Sequence, residues 1–146
     1  MPVVSAGILL VRPGPEVLLV HPGGPFWSKK DVGAWSIPKG EVEPGEDPRD
    51  RALIEFTEET GTTLGADVEL RELGQVKQKG GKLVIAFAAE GDLDAGAIVS
   101  NTFELEWPPR SGRRQAFPEV DRAEWFTLDE ARRRINPAQA ALLDQL

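Results

Sequence analysis

Residues 3–11, VVSAGILLV, contain no charged side chain, and this restricts the fold more than any other stretch. A second apolar run, VLLV at 17–20, follows the connection Arg12-Pro13-Gly14-Pro15. Two short β-rich runs joined by Pro and Gly predict a pair of buried strands. The opening segment lacks a charged n-region and meets Pro13 too early for a signal peptide or a membrane span, so a cytoplasmic location is expected.

The next firm element is helical. Asp47 is placed to cap it, Pro48 suits the first helical position, Asp50 adds an acid to the first turn, and Gly61 is the natural terminator. At about 100° per residue, Ala52, Leu53, Phe56 and Thr60 share one face, and Glu55, Glu58 and Glu59 cluster on another. The helix thus has a core stripe and a carboxylate stripe. Beyond it, 68–75 and 83–89 read as strands, 91–102 as a polar connection and 103–107 as a strand ended by Pro108-Pro109. Residues 110–118 read as a basic loop, 124–127 as a short strand, and 129–134 and 137–146 as helices, the last with Ala140, Leu142, Leu143 and Leu146 apolar. With no repeat or linker, the expectation is one α/β domain over residues 1–146, with a mixed sheet and helices on its faces.

Composition narrows the chemistry. The chain carries 17 basic and 24 acidic side chains, net −7, which argues against non-specific nucleic-acid binding but leaves room for a small phosphorylated ligand met by local cations. With no cysteine and one histidine, thiolate, zinc-thiolate and Ser-His-Asp chemistry have no basis.

Like charges at i,i+3 and i,i+4 repel, so three glutamates on one helical stripe need a reason. A solvated acidic face is the plain one. The flank suggests another: the turn Pro38-Lys39-Gly40 just upstream brings backbone groups and a lysine close to a ligand. Clustered carboxylates in that setting suit Mg²⁺, which binds a few carboxylates, keeps waters and takes substrate phosphates as further ligands.

Gly40, five residues, Glu46, seven residues, then Ile54-Glu55-Phe56-Thr57-Glu58-Glu59-Thr60-Gly61 resembles the Nudix box, Gly-x5-Glu-x7-Arg-Glu-apolar-x-Glu-Glu-x-Gly-apolar. The whole chain is similar to that family's α/β/α sandwich. The segments HPGGPFW, GAWSIPKGE and SNTFELEWPPRSG resemble a bacterial branch of predicted pyrophosphohydrolases, and PKGEVEPGED is similar to the box opening of dinucleoside tetraphosphate hydrolases. Two positions depart from the pattern: Ile54 stands where the family has arginine, and Thr62 at its last apolar position. The family arginine pairs with a box glutamate; Arg51, four residues before Glu55, points the same way and takes that part in some measure.

The resemblance implies a Mg²⁺-dependent hydrolase (Mn²⁺ also suits the site) of a nucleoside diphosphate linked to a second moiety, with a dinucleoside polyphosphate or a (d)NTP foremost. The alternative is a nucleotide sensor of the same fold with weak or lost turnover. Glu55, Glu58 and Glu59, with the Gly40 carbonyl and an acid from outside the box, would hold the cation. Glu119 is the outside acid and Asp121 its competitor. Glu46 organises the box, and Glu58 or Glu119 is the general base. Lys39 is the first phosphate contact, with Arg51, Arg110, Arg113 and Arg114 as further cations. Trp35, Trp27 and Phe26 are candidates to stack on a base. Homodimers are common in the family, and the apolar pattern here shows no seam.

Overall fold

The computed structural model of the protein describes residues 3–146; Met1 and Pro2, which begin the segment read above as lacking a leader, lie outside them. Strand β1 (Val4–Arg12) is the axis of a six-stranded mixed sheet. It runs parallel to β5 (Leu83–Glu90) from Val4↔Leu83 to Val11↔Glu90, and turns through residues 13–15 into antiparallel β2 (Glu16–Pro22). On β2 follows β8 (Val120–Thr127), and on β5 follows β4 (Arg71–Lys77), giving the order β4-β5-β1-β2-β8. A short strand, β3 (Lys39–Glu41), pairs with the first half of β1 through Ser5↔Glu41, Ala6↔Gly40 and Gly7↔Lys39.

The unbroken apolar character of β1 and β2 follows from cover on both faces. Ile8, Leu10, Leu18 and Val20 pack with Ala52 and Phe56 of helix α1 (Pro48–Thr60). Leu9, Val17 and Leu19 point the other way, toward Ala131 of α2 (Leu128–Arg134) and Leu142 and Leu143 of α3 (Ala140–Leu143). The result is the expected α/β/α sandwich. Helix α1 keeps its predicted ends: the Asp47 carboxylate accepts from the Arg49 N–H at 2.9 Å, and Gly61, at φ 77°, donates its N–H to the Thr57 carbonyl.

Several boundaries differ from the expectation. Residues 65–68 close a turn, Val68 N–H to Gly65 carbonyl at 3.0 Å, so β4 begins at Arg71. The basic loop is half strand: β7 (Arg114–Pro118) pairs with β6 (Thr102–Glu106) as a separate two-stranded ribbon. Its arginines and glutamine mask the alternation that marks a strand. β8 begins at Val120 rather than 124, its early residues hidden by a register shift opposite His21 and Pro22. The final helix is a 3₁₀ turn at Pro137–Gln139 followed by the single turn of α3, and Leu146, read as one of its apolar positions, lies beyond that turn and is exposed. Among the described residues no helix is long and apolar enough to cross a membrane.

Residues 35–41 wedge between β1 and β2. Val20 and Ser36 exchange backbone hydrogen bonds of 2.8 and 3.0 Å, and the Ile8 N–H donates to the Pro38 carbonyl at 3.1 Å. This approach leaves no room beside Gly7, where a Cβ would run into the Pro38 carbonyl oxygen and the Lys39 Cβ. Gly7→Ala should therefore lower the urea midpoint, at a cost of about 1–3 kcal/mol typical of overpacking. An unchanged midpoint would show that β3 shifts freely.

Candidate functional site

Two devices position the acids of α1. The first is an arginine clamp. Arg51 donates Nε and Nη2 to the two oxygens of Glu46 (2.8 and 2.9 Å) and Nη1 to Glu55 Oε2 (3.0 Å). Glu46 also accepts from the Glu43 N–H at 3.0 Å, so the loop before the helix is tied to its second turn. Arg51 and then the Glu43 N–H hold the Glu46 carboxyl below its ordinary range. The arginine is itself pushed up, by Glu46 first and Glu55 second. A charge-assisted bidentate pair of this kind fixes geometry as well as charge. Ile54 is 41% exposed and takes no part.

The second device is close backbone contact. A Cβ at Gly40 would overlap the Glu55 carboxylate, so only glycine lets β3 lie against that acid. This brings Lys39 to Glu59. Burial raises the Glu59 carboxyl to about 8, with Glu55 and Glu119 adding to the rise and Lys39 opposing it. Burial likewise lowers Lys39, against the pull of Glu59 and Glu55. Glu55 is raised by burial, partly offset by its bond to Arg51, and Glu119 by burial and then by Glu58. Four carboxylates therefore share one electrostatic neighbourhood. A cleft of about 170 Å³ opens over part of it, lined by Val20, Pro22, Ser36, Lys39, Glu59 and Glu119.

Among the described residues no three acidic or histidine side chains converge tightly enough to enclose a cation, as mutual repulsion favours when the carboxylates face one another alone. The donor set nonetheless fits a hard cation: every group is oxygen, the half-buried Glu59 carboxyl is raised, and the Glu55 carboxylate lies directly against the Gly40 backbone. A larger depression, about 610 Å³, lies at the other end of β1 around Val11, Pro15, Ala88 and Leu128; Glu69 and Glu90 line it, away from the α1 acids.

Not every expected residue comes to the cleft. Glu46 and Arg51, expected as a box acid and a phosphate contact, are bonded to each other, and Arg51 to Glu55 as well, and neither lines the cleft. Trp35 is fully buried against Phe126 and His21, with its Nε1 donating to Asp31, and offers no face to a base. Asp121 is taken by His21 Nδ1 at 2.8 Å, which leaves Glu119 as the outside acid. Arg110, Arg113 and Arg114 are exposed on the β6–β7 ribbon rather than in the cleft, Arg114 pairing with Glu104 at 3.3 Å. One contributor has no sequence signal. Asn101 donates its N–H to the Glu58 carbonyl (2.8 Å) and accepts from the Glu119 N–H (2.9 Å), fastening the outside acid to the helix end through backbone alone.

Comparison with known proteins agrees with this geometry. The model of the NUDIX domain matches residues 1–146. An RNA pyrophosphohydrolase of Roseobacter denitrificans is 46% identical over 54 residues, 34% of each chain. The asymmetrical bis(5'-nucleosyl)-tetraphosphatase of Rattus norvegicus is 43% identical over 60 residues, covering 38% of this chain and 41% of that one. The chain thus spans well under half the length of these curated relatives. An Ap4A hydrolase of C. elegans, solved as a binary complex, superposes with a TM-score of 0.67 over 97% of this chain and 93% of that one at 21% identity, a likeness of fold.

Removing the clamp tests its role. Because the Glu46 pKa is depressed in the fold, its stabilisation is present above the ordinary carboxylate range and lost as pH falls through the depressed value. Arg51→Ala should lower the thermal midpoint at pH 7 by a few degrees and flatten its acid limb. A midpoint and limb like those of the parent would mean that the clamp contributes nothing.

Proposed function

The chain belongs to the Nudix domain family, and from that premise we propose that it hydrolyses the pyrophosphate linkage of a nucleoside diphosphate joined to a second moiety, with Mg²⁺ as cofactor and Mn²⁺ as a working substitute. A dinucleoside polyphosphate comes first among substrates and a (d)NTP second; a cytoplasmic site of action accompanies the reading. The observation that carries it is the half-buried Glu59 carboxyl beside Lys39, in a cleft shared with Glu119 and backed by Glu55.

Glu55, Glu58, Glu59 and the Gly40 carbonyl are the groups that would hold the cation, with Glu119 completing the set. When bound, the cation supplies Lewis-acid polarisation of the phosphoryl oxygens and lowers the pKa of water. The residues do the rest. Lys39 meets a phosphate oxygen from the cleft wall. Arg51 keeps Glu55 from swinging away. Glu58 or Glu119 accepts the proton of the attacking water, Glu119 with a basicity raised by desolvation and then by Glu58.

A nucleotide sensor with weak turnover is the second reading, and Ile54 in place of the family arginine is what favours it. The Arg51–Glu55 bond counts against it, since the orienting contact survives from another position. A panel of nucleotides with Mg²⁺ and product identification separates the two. Hydrolysis should fall about 10²–10⁴-fold in Glu58→Gln if that carboxylate moves the proton. Tight binding with no phosphate release in the parent protein would support the sensor. In Arg51→Ala, adding Ile54→Arg should restore turnover; failure to do so would separate the arginine's role from its charge.

The raised Glu59 pKa gives a further test. A carboxyl whose folded pKa exceeds its unfolded value stabilises the fold at low pH, and that contribution disappears as pH rises from the ordinary 4.5 through about 8. Without metal, Glu59→Gln should raise the thermal midpoint at pH 8.5 by about 2–4 °C for each kcal/mol relieved. Mg²⁺ or Mn²⁺ should stabilise the parent more at pH 8.5 than at pH 6, and Glu59→Gln much less at either. A metal shift independent of both pH and Glu59 would refute the assignment.

A further inference from the structure

Two excursions of the chain leave the cleft and meet outside it. Residues 23–34 depart after Pro22 and return before Ser36, and both of those residues line the cleft. The β6–β7 ribbon departs after Asn101 and returns at Glu119, which lines it too. The excursions touch along their length. The Gly23 N–H donates to the Glu119 carbonyl at 2.9 Å, a Cβ at Gly24 would press on Phe103, and Phe26 stands edge-to-face to Trp107 with centroids 5.5 Å apart. His21 Nε2 donates to the Lys30 carbonyl at 2.6 Å, pinning the first excursion to the sheet. Trp107 lies five residues along the chain from Thr102, so the joint arm extends about 15–20 Å beyond its root at roughly 3.3 Å per residue.

The surface of this arm is unlike the rest of the chain. Phe26 is 61% and Trp27 40% exposed, and the Lys30 ammonium sits over the Trp27 ring at 4.9 Å. Asp31, which follows Lys29 and Lys30 in the chain, is already engaged by Trp35 and Arg134. On the ribbon, Arg110, Arg113 and Arg114 outnumber Glu104 and Glu106, within a protein of net charge −7. Exposed ring faces set among cations, of which Arg114 pairs with Glu104 and Lys30 lies over Trp27, match one ligand chemistry: a base to stack on and phosphates to pair with. A ligand with a base at each end of a polyphosphate can present one end to the carboxylates and the other to these rings.

We propose that the arm is a second binding site, taking the distal nucleoside of a dinucleoside polyphosphate whose scissile linkage lies over the α1 carboxylates; this rests on the hydrolase reading above. Trp27 supplies the stacking face, with the Phe26–Trp107 pair beside it, and Lys30 and the ribbon arginines meet the distal phosphates. The arm sets which substrates are preferred and leaves the chemistry to the cleft.

Cleavage of a dinucleoside tetraphosphate and of a nucleoside triphosphate is compared in the parent, in Trp27→Ala and in Arg110→Ala/Arg113→Ala. The ratio of kcat/KM for the two substrates should fall about tenfold in Trp27→Ala, through KM rather than kcat, as loss of one stacked base predicts. The arginine variant should lower the same ratio and weaken its salt dependence. An unchanged ratio overturns the proposal, and so does a variant that loses self-association while keeping the ratio, for the patch is then an interface between copies. A binding readout keeps this separate from the hydrolase reading. In Glu58→Gln, the dinucleoside tetraphosphate should quench tryptophan emission more than it does in Glu58→Gln/Trp27→Ala. That difference, together with a parent protein that hydrolyses none of the nucleotides, would uphold the arm and sink the hydrolase; hydrolysis by the parent with no Trp27 dependence of either readout would do the reverse.

Discussion

Holding several carboxylates together at a half-buried edge of the sandwich is the constraint on which this structure turns. An isolated buried carboxylate is costly, and like charges on one helical stripe make it worse. The fold answers with two cations of different kinds. Arg51 sits at the outer edge and is consumed by Glu46 and Glu55. Lys39 sits inside, beside Glu59, and keeps its charge only against the pull of burial. The remaining imbalance is carried by protons, which is why Glu59 titrates near 8. The sandwich around the site limits how far the helix and strand that carry these acids can move.

That rigidity is assembled from ordinary parts. The Asp47 cap and Gly61 fix where α1 starts and stops, Phe56 fixes its rotation against the sheet, and the wedge of residues 35–41 fixes its distance from β1. Gly7 and Gly40 matter for what they lack, since each allows a neighbour to occupy the place of a side chain. The same wedge buries Trp35 in the core on the α2 and α3 side, where its ring meets Phe126 and His21.

The cap, the core stripe, the carboxylate stripe and the apolar strands were readable from local pattern, because each is governed by neighbours one or two turns away. The Arg51 clamp was half readable: i,i+4 geometry pointed it at Glu55, while its bidentate grip on Glu46 depends on how the preceding loop folds back. Trp35 was misread because a tryptophan beside a lysine–glycine turn has the same local context whether its ring points inward or out. β7 and the first half of β8 were missed because strands on a narrow ribbon, or beside a register shift, bury too little for alternation to appear. Asn101 acts through its backbone, and no residue type signals that.

The bonds at Asn101 join the base of the ribbon to the helix end on one side and to the outside acid on the other. Whatever lies between Thr102 and Pro118 can therefore lengthen, shorten or change its side chains while its anchorage stays fixed. Evolution can tinker with reach and taste at the periphery without retuning the hydrolytic machinery, and a designer could transplant a ribbon from a cousin onto this frame by respecting only its two points of attachment.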